Sequence, residues 1–391
     1  MTATVRVAMI GHAFMGAAHS QAWRAVHRFF ELDVHPQMAV LVGRDPARAA
    51  EAAATLGWQE SATDWREVVR RDDVDLVDIC TPGDTHAEIA LAALGAGKHV
   101  LCEKPLANTL AEATRMTKAA RSAAGNGVRS MVGFTYRRVP AVALMRRMVA
   151  DGAIGTIRHI RGQYLQDWIV DPDFPLVWRL QQERAGSGAL GDIGAHILDL
   201  AQFVSGQRIT GVAAQTETFV RRRPLARGGG ALGAATAQAD GPMGEVTVDD
   251  AAVLLARTDG GALGTFEATR FATGRKNRIM LEINGSDGTL AFNFENMNAL
   301  EYYDASRGDL AGFTTIPVTE PTHPYVGAWW PPGHGLGYEH AFIHQARDFL
   351  EAIATGTDPQ PSFAEGTGVQ HLLEAVLASA ADHARWTDVG T

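Results

Sequence analysis

Two residues at helical spacing, Asp192 and His196, could together move a proton. They follow a glycine-rich lead-in and stand four positions apart, so a helix would place both side chains on one face. A carboxylate beside an imidazole fixes its tautomer and raises its basicity, as a general base near neutral pH requires. The alternative is structural: Asp192 caps the helix and His196 is a hydrogen-bonded core histidine.

A lysine at the end of a predicted buried strand is the second candidate for chemistry. Residues 97–106 form a short apolar run that ends in Glu103, Lys104 and Pro105. Such a run predicts a parallel strand whose carboxyl end faces the ligand crevice, where an ammonium needs a partner or substrate to offset its desolvation. Lys104 is therefore a candidate catalytic group. The alternative is a lysine that pairs with Glu103 or reaches solvent.

The turn after the first predicted strand has the spacing of a dinucleotide-binding turn. Residues 11–16 read Gly-His-Ala-Phe-Met-Gly, between a strand pattern at 5–10 and a helix pattern at 17–30. Ala13 stands where the middle glycine is expected, and its methyl group weakens the match without blocking a phosphate at the helix N-terminus. The pattern indicates a coenzyme of the NAD(P) type.

The next predicted strand, residues 38–42, bears on the choice of coenzyme. It ends in Gly43 and Arg44, where an NAD-binding turn would carry an acidic residue for the ribose hydroxyls. A small residue followed by arginine leaves room for a 2′-phosphate and can hydrogen-bond it, which favours NADP. The alternative is a solvated Arg44, with Asp45 capping the following helix.

The elements that must position these residues alternate between strand and helix in the first third of the chain. Further strand patterns lie at 74–80, around residue 100 and at 129–134, with helix patterns at 45–56, 87–96 and 110–124. This alternation predicts a doubly wound parallel sheet with its strand carboxyl ends on one edge. Gly11, Thr81, Lys104 and Tyr136 fall at that edge.

A different pattern begins after about residue 155. Strand-like segments separated by glycine-rich turns predict a broad, mainly antiparallel sheet, and they lie at 156–166, 209–219, 251–257, 262–269, 278–284, 289–294 and 299–303. The expected fold class is therefore α/β, with an N-terminal Rossmann domain at residues 1–135. A C-terminal α+β domain at residues 136–391 would bind substrate through a large open sheet. Helices at about 338–355 and 363–384, within residues 338–391, should pack partly back on the first domain.

The open sheet also predicts an oligomer. Helices on one face only would leave the other face to a partner subunit, so a dimer or tetramer is expected.

Residues 224–247 lack a regular pattern and are expected to form a flexible loop. Residues 317–337 are also loop-like but contain aromatic side chains and His334, so they would close a ligand pocket or pack on a partner subunit.

Composition narrows the classes of protein. A net charge of -9, without a basic cluster interleaved with aromatic residues, makes a nucleic-acid binder unexpected. Cys80 and Cys102 lie in predicted buried strands, as free thiols of a reducing compartment do, and neither a signal-peptide pattern nor a membrane-length apolar run occurs. We expect a cytoplasmic protein without a membrane partner. No metal is expected, because Asp192 and His196 are too few ligands.

Three motifs in this order and spacing carry a family resemblance. Residues 11–16, the triplet Glu103-Lys104-Pro105 and residues 191–196 resemble the glucose–fructose oxidoreductase / inositol dehydrogenase / MocA (Gfo/Idh/MocA) family over essentially the whole chain. Residues 134–138, 164–168 and 335–338 look most like its levoglucosan dehydrogenase and inositol dehydrogenase branch. Ala13 and Gly43 depart from the family pattern, which bears on coenzyme affinity and choice rather than on reaction type.

The resemblance implies roles for the candidate residues. Lys104 would hold and polarise the reacting hydroxyl, His196 would exchange its proton, and Asp192 would orient His196 or bind a neighbouring hydroxyl. The coenzyme would be bound at its pyrophosphate by Gly11, Ala13, Phe14 and Met15, at its nicotinamide ribose by Thr81, Pro82 and His86, and near its ring by Glu103. The sugar would be lined by Tyr136, Gln166, Trp168, Trp178 and Arg179.

The resemblance and the residue chemistry agree on one reaction. It is an NAD(P)-dependent interconversion of a secondary hydroxyl and a ketone on a sugar, anhydrosugar or cyclitol. Hydride transfer needs a base for the hydroxyl proton and a cation for the developing alkoxide, which His196 and Lys104 would supply. Two other functions stay open: an NAD-dependent glycosidase that oxidises C3 transiently, and a non-catalytic dinucleotide-binding sensor.

Overall fold

The computed structural model describes residues 3–225 and 241–390. The described chain forms two compact units. The first unit consists of residues 3–135 and 338–370, and the second of residues 136–225, 241–337 and 371–390. The predicted fold class is confirmed, since the first unit contains a parallel sheet with helices and the second a larger, mostly antiparallel sheet.

The strands and helices are numbered in chain order. The strands of the described residues are β1 (Ala3–Ile10), β2 (Val34–Val42), β3 (Glu60–Ala62), β4 (Leu76–Ile79), β5 (His99–Cys102), β6 (Ser130–Val132), β7 (Ile157–Leu165), β8 (Ile209–Glu217), β9 (Arg222–Pro224), β10 (Met243–Glu245), β11 (Ala251–Thr258), β12 (Leu263–Thr269), β13 (Arg278–Gly285), β14 (Gly288–Asn293), β15 (Ala299–Asp304), β16 (Phe313–Pro317) and β17 (Thr387–Asp388). The helices are α1 (Phe14–Phe29), α2 (Pro46–Leu56), α3 (Trp65–Val68), α4 (His86–Gly95), α5 (Leu110–Ala124), α6 (Pro140–Ala150), α7 (Gln182–Ala185), α8 (Ala195–Ser205), α9 (Tyr338–Thr355) and α10 (Phe363–Ala381).

The sheet of the first unit runs in the order β3-β2-β1-β4-β5-β6, with all neighbours parallel. All four residues of β4 are buried, as expected for a strand covered on both faces. The strand order reverses between β1 and β4, where a doubly wound sheet opens a ligand crevice beyond its strand ends. The turns after β1, β2, β4 and β5 bring Gly11, Gly43, Thr81 and Lys104 to this edge.

The sheet of the second unit runs in the order β16-β15-β14-β13-β7-β12-β11-β8-β17. Its β7 and β12 are parallel, and the other neighbouring strands are antiparallel. Helix α8 packs on β7, β12 and β13. A Cβ on Gly162 of β7 would lie 2.7 Å from side-chain atoms of Ile197 and Phe266, so glycine lets α8 approach the sheet closely.

Some elements differ from the sequence expectation. Residues 224–247 are not irregular throughout, because β9 and β10 pair as an antiparallel hairpin; residues 226–240 of the predicted loop lie outside the described residues. The last long helix ends at Ala381 rather than at 384. Strands β3, β16 and β17 were not predicted, since segments of two to five residues at sheet edges show little periodicity. No helix among the described residues is long and apolar enough to cross a membrane.

Candidate active site

The turn between β1 and α1 forms a cradle at the start of a helix. Gly11 has a φ of +98°, and a Cβ there would lie 2.8 Å from the carbonyl oxygen of Cys80, so the turn requires glycine. No side chain caps α1 at Ala13, and its first turn contains no acidic residue. The backbone N–H groups and the positive helix end at Phe14 and Met15 therefore favour an anion. The turn fits the pyrophosphate of a dinucleotide.

The end of β2 is shaped by a contact between His12 and Gly43. A Cβ on residue 43 would lie 2.6 Å from the His12 ring, so the acidic side chain typical of an NAD-binding turn would clash unless His12 moved. Asp45 accepts a hydrogen bond from the backbone N–H of Arg48 at 3.0 Å and caps α2. Arg44 is exposed, so a solvated Arg44 beside a capping Asp45, the alternative considered above, is the arrangement present.

His86 ties the turn after β4 to the turn after β5. Its Nε2 lies 2.9 Å from the carbonyl oxygen of Thr81, and its Nδ1 lies 3.0 Å from that of Pro105. Burial lowers the pKa of the imidazole, although both carbonyls oppose the decrease. Thr81 and Pro82 are half-buried at the same sheet edge. His86 thus fixes the turn that precedes α4 against the turn that contains Lys104.

A buried network that no motif identified lies below Glu103. Nδ1 of His19 is 3.0 Å from both carboxylate oxygens of Asp78, and its Nε2 is 3.1 Å from Oε1 of Glu103. Trp23 donates its indole N–H to Asp78 at 2.7 Å. Burial alone would lower the pKa of His19, but the neighbouring Asp78 outweighs it and the pKa is raised well above 6.5. Both ring nitrogens of His19 thus lie within hydrogen-bond distance of a carboxylate, and the raised pKa favours the protonated imidazole.

Lys104 follows this network directly. Its backbone N–H lies 3.3 Å from Oε2 of Glu103, so the two oxygens of that carboxylate contact His19 and the lysine backbone. Glu103 is only 4% exposed, and Lys104 is half-buried. The structure thereby places the lysine at the end of β5 on a backbone fixed by a buried anion.

Cys80 completes the group beneath the sheet edge. His19, Asp78 and Cys80 have potential ligand atoms within 4.8 Å of one another, so a metal ion would find three ligands here. Burial raises the pKa of the Cys80 thiol, and its Sγ lies 3.6 Å from Asp78 as a hydrogen-bond donor. In this structure the Cys80 thiol is a hydrogen-bond donor to the Asp78 carboxylate.

In the second unit, His196 stands among aromatic rings at the start of α8. It is 8% exposed, with ring centroids 4.7 Å from Tyr136 and 6.0 Å from Tyr164. The hydroxyl oxygens of the two tyrosines are 2.8 Å apart. Arg137 and Asp199 form a buried ion pair, with Nε 2.8 Å from Oδ2, which joins the turn of Tyr136 to the helix of His196. The structure brings His196 and Tyr136 together as predicted candidates.

A chain of hydrogen bonds continues from Tyr164 to Trp168. The Tyr164 hydroxyl donates to Oδ1 of Asn277 at 2.8 Å, and Nε2 of Gln166 donates to the same oxygen at 2.9 Å. Trp168 donates its indole N–H to Oε1 of Gln166 at 3.0 Å. The Trp168 ring is half-buried and packs edge-on against Phe174, with 5.3 Å between the ring centroids.

Asp192 lies in a π-helical turn, Leu190–Gly194, that leads into α8. The regular helix assumed for the spacing of Asp192 and His196 therefore begins only at Ala195. The carboxylate of Asp192 is 24% exposed, and its Oδ2 lies 3.6 Å from Nη1 of the fully buried Arg270. No sequence motif pointed to this arginine.

Arg179 and Trp178 lie near Asp192 in the second unit. The guanidinium carbon of Arg179 lies 4.3 Å from the centroid of the Trp178 ring. Burial lowers the pKa of Arg179, and the charge of Asp192 opposes that decrease. His334 is not joined to this cluster by hydrogen bonds among the described residues, since its exposed ring contacts the carbonyl of Pro331 at 2.9 Å.

Comparison with known proteins adds the family. A family model described as an oxidoreductase family with an NAD-binding Rossmann fold matches residues 5–134, and a model of the GFO/IDH/MocA C-terminal domain matches residues 142–291. The chain belongs to the Gfo/Idh/MocA family. The predicted resemblance and the predicted enzyme class are confirmed, and the protein is an NAD-binding oxidoreductase.

Individual members of the Gfo/Idh/MocA family match over their full length. Levoglucosan dehydrogenase of Pseudarthrobacter phenanthrenivorans is 44% identical over 388 residues, which cover 98% of each chain. An oxidoreductase domain protein from Kribbella flavida superposes with a TM-score of 0.94 at 60% identity and covers 100% of both chains. A levoglucosan dehydrogenase in complex with NADH and levoglucosan superposes with a TM-score of 0.92 at 43% identity, with 99% of both chains covered.

Proposed function

We propose that this Gfo/Idh/MocA protein interconverts one secondary hydroxyl and a ketone on a sugar, anhydrosugar or cyclitol, with an anhydrosugar such as levoglucosan as the first substrate to test. The observation that carries the proposal is one wall of the candidate substrate site, formed by side chains of the second unit. It combines a half-buried indole, Trp168, with the polar groups of Gln166, Arg179 and Asp192. A polyol needs both kinds of surface, because its hydroxyls require hydrogen-bond partners and its CH face favours an aromatic ring.

The proposed chemistry divides between two side chains. When bound, the nicotinamide coenzyme accepts or returns the hydride. The Lys104 ammonium binds the reacting oxygen and stabilises its negative charge, while the His196 imidazole takes the hydroxyl proton during oxidation and returns it during reduction. His86 and Glu103 act on the coenzyme side by fixing the turns that contact it. His334 is proposed to contact the substrate from the loop at 317–337.

Coenzyme choice is a separate proposal. Gly43 provides no carboxylate for the ribose hydroxyls, and the His12 ring fills the space beside it. Arg44 extends from the same turn and can hydrogen-bond a 2′-phosphate. We therefore propose NADP as the preferred coenzyme of this NAD-binding family member.

The open face of the larger sheet supports a homo-oligomer. Val253, Leu255 and Leu263 are 49%, 58% and 46% exposed on it, although they are large apolar side chains. Flanking polar residues are already paired, with Gln163 donating to Glu267 at 3.0 Å. An apolar patch with satisfied polar neighbours suits a second copy of the chain. The compartment proposed for the oligomer is the cytoplasm, since Cys80 and Cys102 are buried free thiols.

Product analysis tests the proposed reaction. Incubated with oxidised coenzyme and levoglucosan, the enzyme should yield a keto sugar, with one coenzyme reduced for each product molecule. The product is identified by nuclear magnetic resonance. A hydrolysed glycoside formed without net coenzyme reduction would instead support the NAD-dependent glycosidase.

A further inference from the structure

A buried arginine at the end of β12 stands behind the candidate substrate wall. The side chain of Arg270 is fully buried, and its Nη1 lies 3.6 Å from Oδ2 of Asp192. Its Nη2 donates to the carbonyl of Asp249 at 3.1 Å, and its Nη1 to that of Arg179 at 3.4 Å. Burying a guanidinium is costly unless a charge compensates it. Asp192 is a side chain that supplies that charge and also reaches the surface of the site.

The same arginine connects to the rest of the wall. Its guanidinium carbon lies 5.5 Å from the centroid of the Trp168 ring, and its bond to the Arg179 carbonyl fixes the chain beside Trp178. Arg270 itself cannot contact a substrate, because its side chain has no exposed surface. Any effect on substrate must therefore pass through the groups that it holds.

The backbone of the turn that contains Asp192 is held by a second buried side chain, Asp249. The carboxylate of Asp249 accepts the N–H groups of Gly188 and Leu190, both at 2.7 Å, at the start of the turn that contains Asp192. The carbonyl of Asp249 in turn accepts from Arg270. Asp249 thus fixes the turn, and the guanidinium of Arg270 attracts the 24% exposed carboxylate of Asp192 across 3.6 Å.

We infer that Arg270 is a positioning residue that orients the Asp192 carboxylate toward a substrate hydroxyl next to the reacting one, an inference that rests on the proposed function. An ionised carboxylate only accepts hydrogen bonds, so the partner must be a donor such as a hydroxyl. The substrate class is accordingly a vicinal diol or polyol rather than an isolated alcohol. The group bound by Asp192 does not react, so losing it should raise KM more than it lowers kcat.

The test is a double-mutant cycle on substrate binding and turnover. Arg270→Met should weaken levoglucosan binding by roughly 10- to 100-fold, the loss expected for a hydrogen bond to a charged group. Asp192→Asn should cause a similar loss. In the Asp192→Asn background, Arg270→Met should then change binding by less than about threefold, because the group through which it acts is already neutral. Coenzyme affinity should stay at the wild-type value throughout.

Two controls separate positioning from folding. Burial raises the pKa of the Asp250 carboxyl, and the charge of nearby Arg270 opposes that rise. In a double-mutant cycle, Asp250→Asn and Arg270→Met should therefore be non-additive in the free energy of unfolding. Their effects on substrate binding should be independent. Arg208→Met is the control for losing a positive charge away from the site, because Arg208 is exposed and pairs with Asp259 at 3.3 Å. Should Arg270→Met fail to fold, Arg270→Lys keeps the cation without the planar fork and should bind levoglucosan more weakly than wild type.

The readout distinguishes this inference from the proposed function. Levoglucosan binding to the enzyme saturated with reduced coenzyme is measured by calorimetry, which needs no turnover. Two results would overturn the role of Arg270 and leave the proposed function intact. One is unchanged levoglucosan affinity in folded Arg270 variants. The other is a double mutant whose loss of binding free energy equals the sum of the two single losses. Wild-type binding of levoglucosan without turnover would contradict the proposed reaction alone. If the wild type bound neither levoglucosan nor 1,5-anhydroglucitol, glucose or myo-inositol, both the inference and the proposed function would be overturned.

Discussion

At the scale of single residues, the proposed hydroxyl–ketone interconversion depends on Lys104 and His196. Their proposed roles differ from those of residues that only support the site. His196 is fixed by the rings of Tyr136 and Tyr164, and the backbone of Lys104 is fixed by Glu103. Neither contact involves the coenzyme turn at Gly11. Catalysis and coenzyme binding should therefore be separable by mutation.

Lys104→Ala and His196→Ala should each lower kcat by orders of magnitude, because each removes a group that handles the hydroxyl proton or its charge. Coenzyme affinity should remain nearly intact. Steady-state kinetics with coenzyme titration by calorimetry gives both values, and Lys118→Ala, at an exposed position of α5, is the matched control. Turnover at the wild-type rate in either active-site variant would remove the mechanism.

The charge on His19 gives a prediction about pH. The pKa of His19 in the folded protein is raised well above 6.5, its ordinary value, so folding is favoured by proton binding at this site. The contribution is complete below pH 6.5 and should decline as pH rises through the raised pKa. Urea unfolding of wild type and His19→Gln across pH should show a stability difference that shrinks in alkaline solution. A difference that grew with pH would contradict the imidazolium assignment.

His19 also shows which residues the sequence does not reveal. It lies 59 positions from Asp78 and 84 from Glu103, and only the parallel sheet brings the three together. A carboxylate inside an apolar strand was the available signal, since Asp78 would need a buried partner. Arg270 and Asn277 belong to no motif, and their roles follow from contacts between distant strands. Sequence motifs identified the groups proposed for chemistry, but not the groups that orient them.

At the scale of elements, periodicity predicted the long helices and strands and missed the irregular ones. The strand and helix at 3–10 and 14–29 were predicted within a few residues, because burial on both faces and a glycine turn leave clear patterns. The π-helical turn at Leu190–Gly194 was not predictable, since it depends on Asp249 bonding to that backbone. Asp192, within this turn, is therefore placed by the fold and not by the spacing of a regular helix.

The turn between β2 and α2 yields the prediction on coenzyme choice. The enzyme should prefer NADP to NAD severalfold in kcat/KM, because Arg44 can bind the 2′-phosphate and Gly43 offers no carboxylate to the ribose. Arg44→Ala should lower kcat/KM for NADP while leaving that for NAD nearly unchanged. Arg48→Ala, at an exposed position of α2, the helix that follows this turn, is the matched control. An equal or reversed preference in the wild type would reject the proposal.

At the scale of the whole molecule, the two units and their different sheets followed from the change of pattern along the chain. The parallel sheet orders its strands 3-2-1-4-5-6, as alternating strand and helix segments require. The parallel pair β7 and β12 inside the larger sheet was not expected, because its connection spans nearly a hundred residues, too many for local patterns to register. One face of that sheet exposes the apolar side chains of Val253, Leu255 and Leu263.

That face gives the prediction on assembly. Leu255→Asp should shift the protein toward the monomer, since a charge at the centre of an apolar interface is desolvated without a partner. Light scattering at micromolar concentration should show an oligomer for wild type and a smaller species for the variant. Thr314→Asp, on the exposed edge strand β16, is the control. A wild-type monomer under these conditions would count against the oligomer.

The near-ultraviolet absorbance of reduced nicotinamide is the most direct test of a polyol dehydrogenase. It would be followed with NAD and, separately, with NADP, across levoglucosan, 1,5-anhydroglucitol, glucose, galactose, xylose, myo-inositol and scyllo-inositol. The account predicts coenzyme reduction with at least one of these polyols. Coenzyme that binds by calorimetry but is reduced by none of them would contradict a polyol dehydrogenase working in the oxidative direction. Hydrolysis of aryl glycosides would then identify the glycosidase instead.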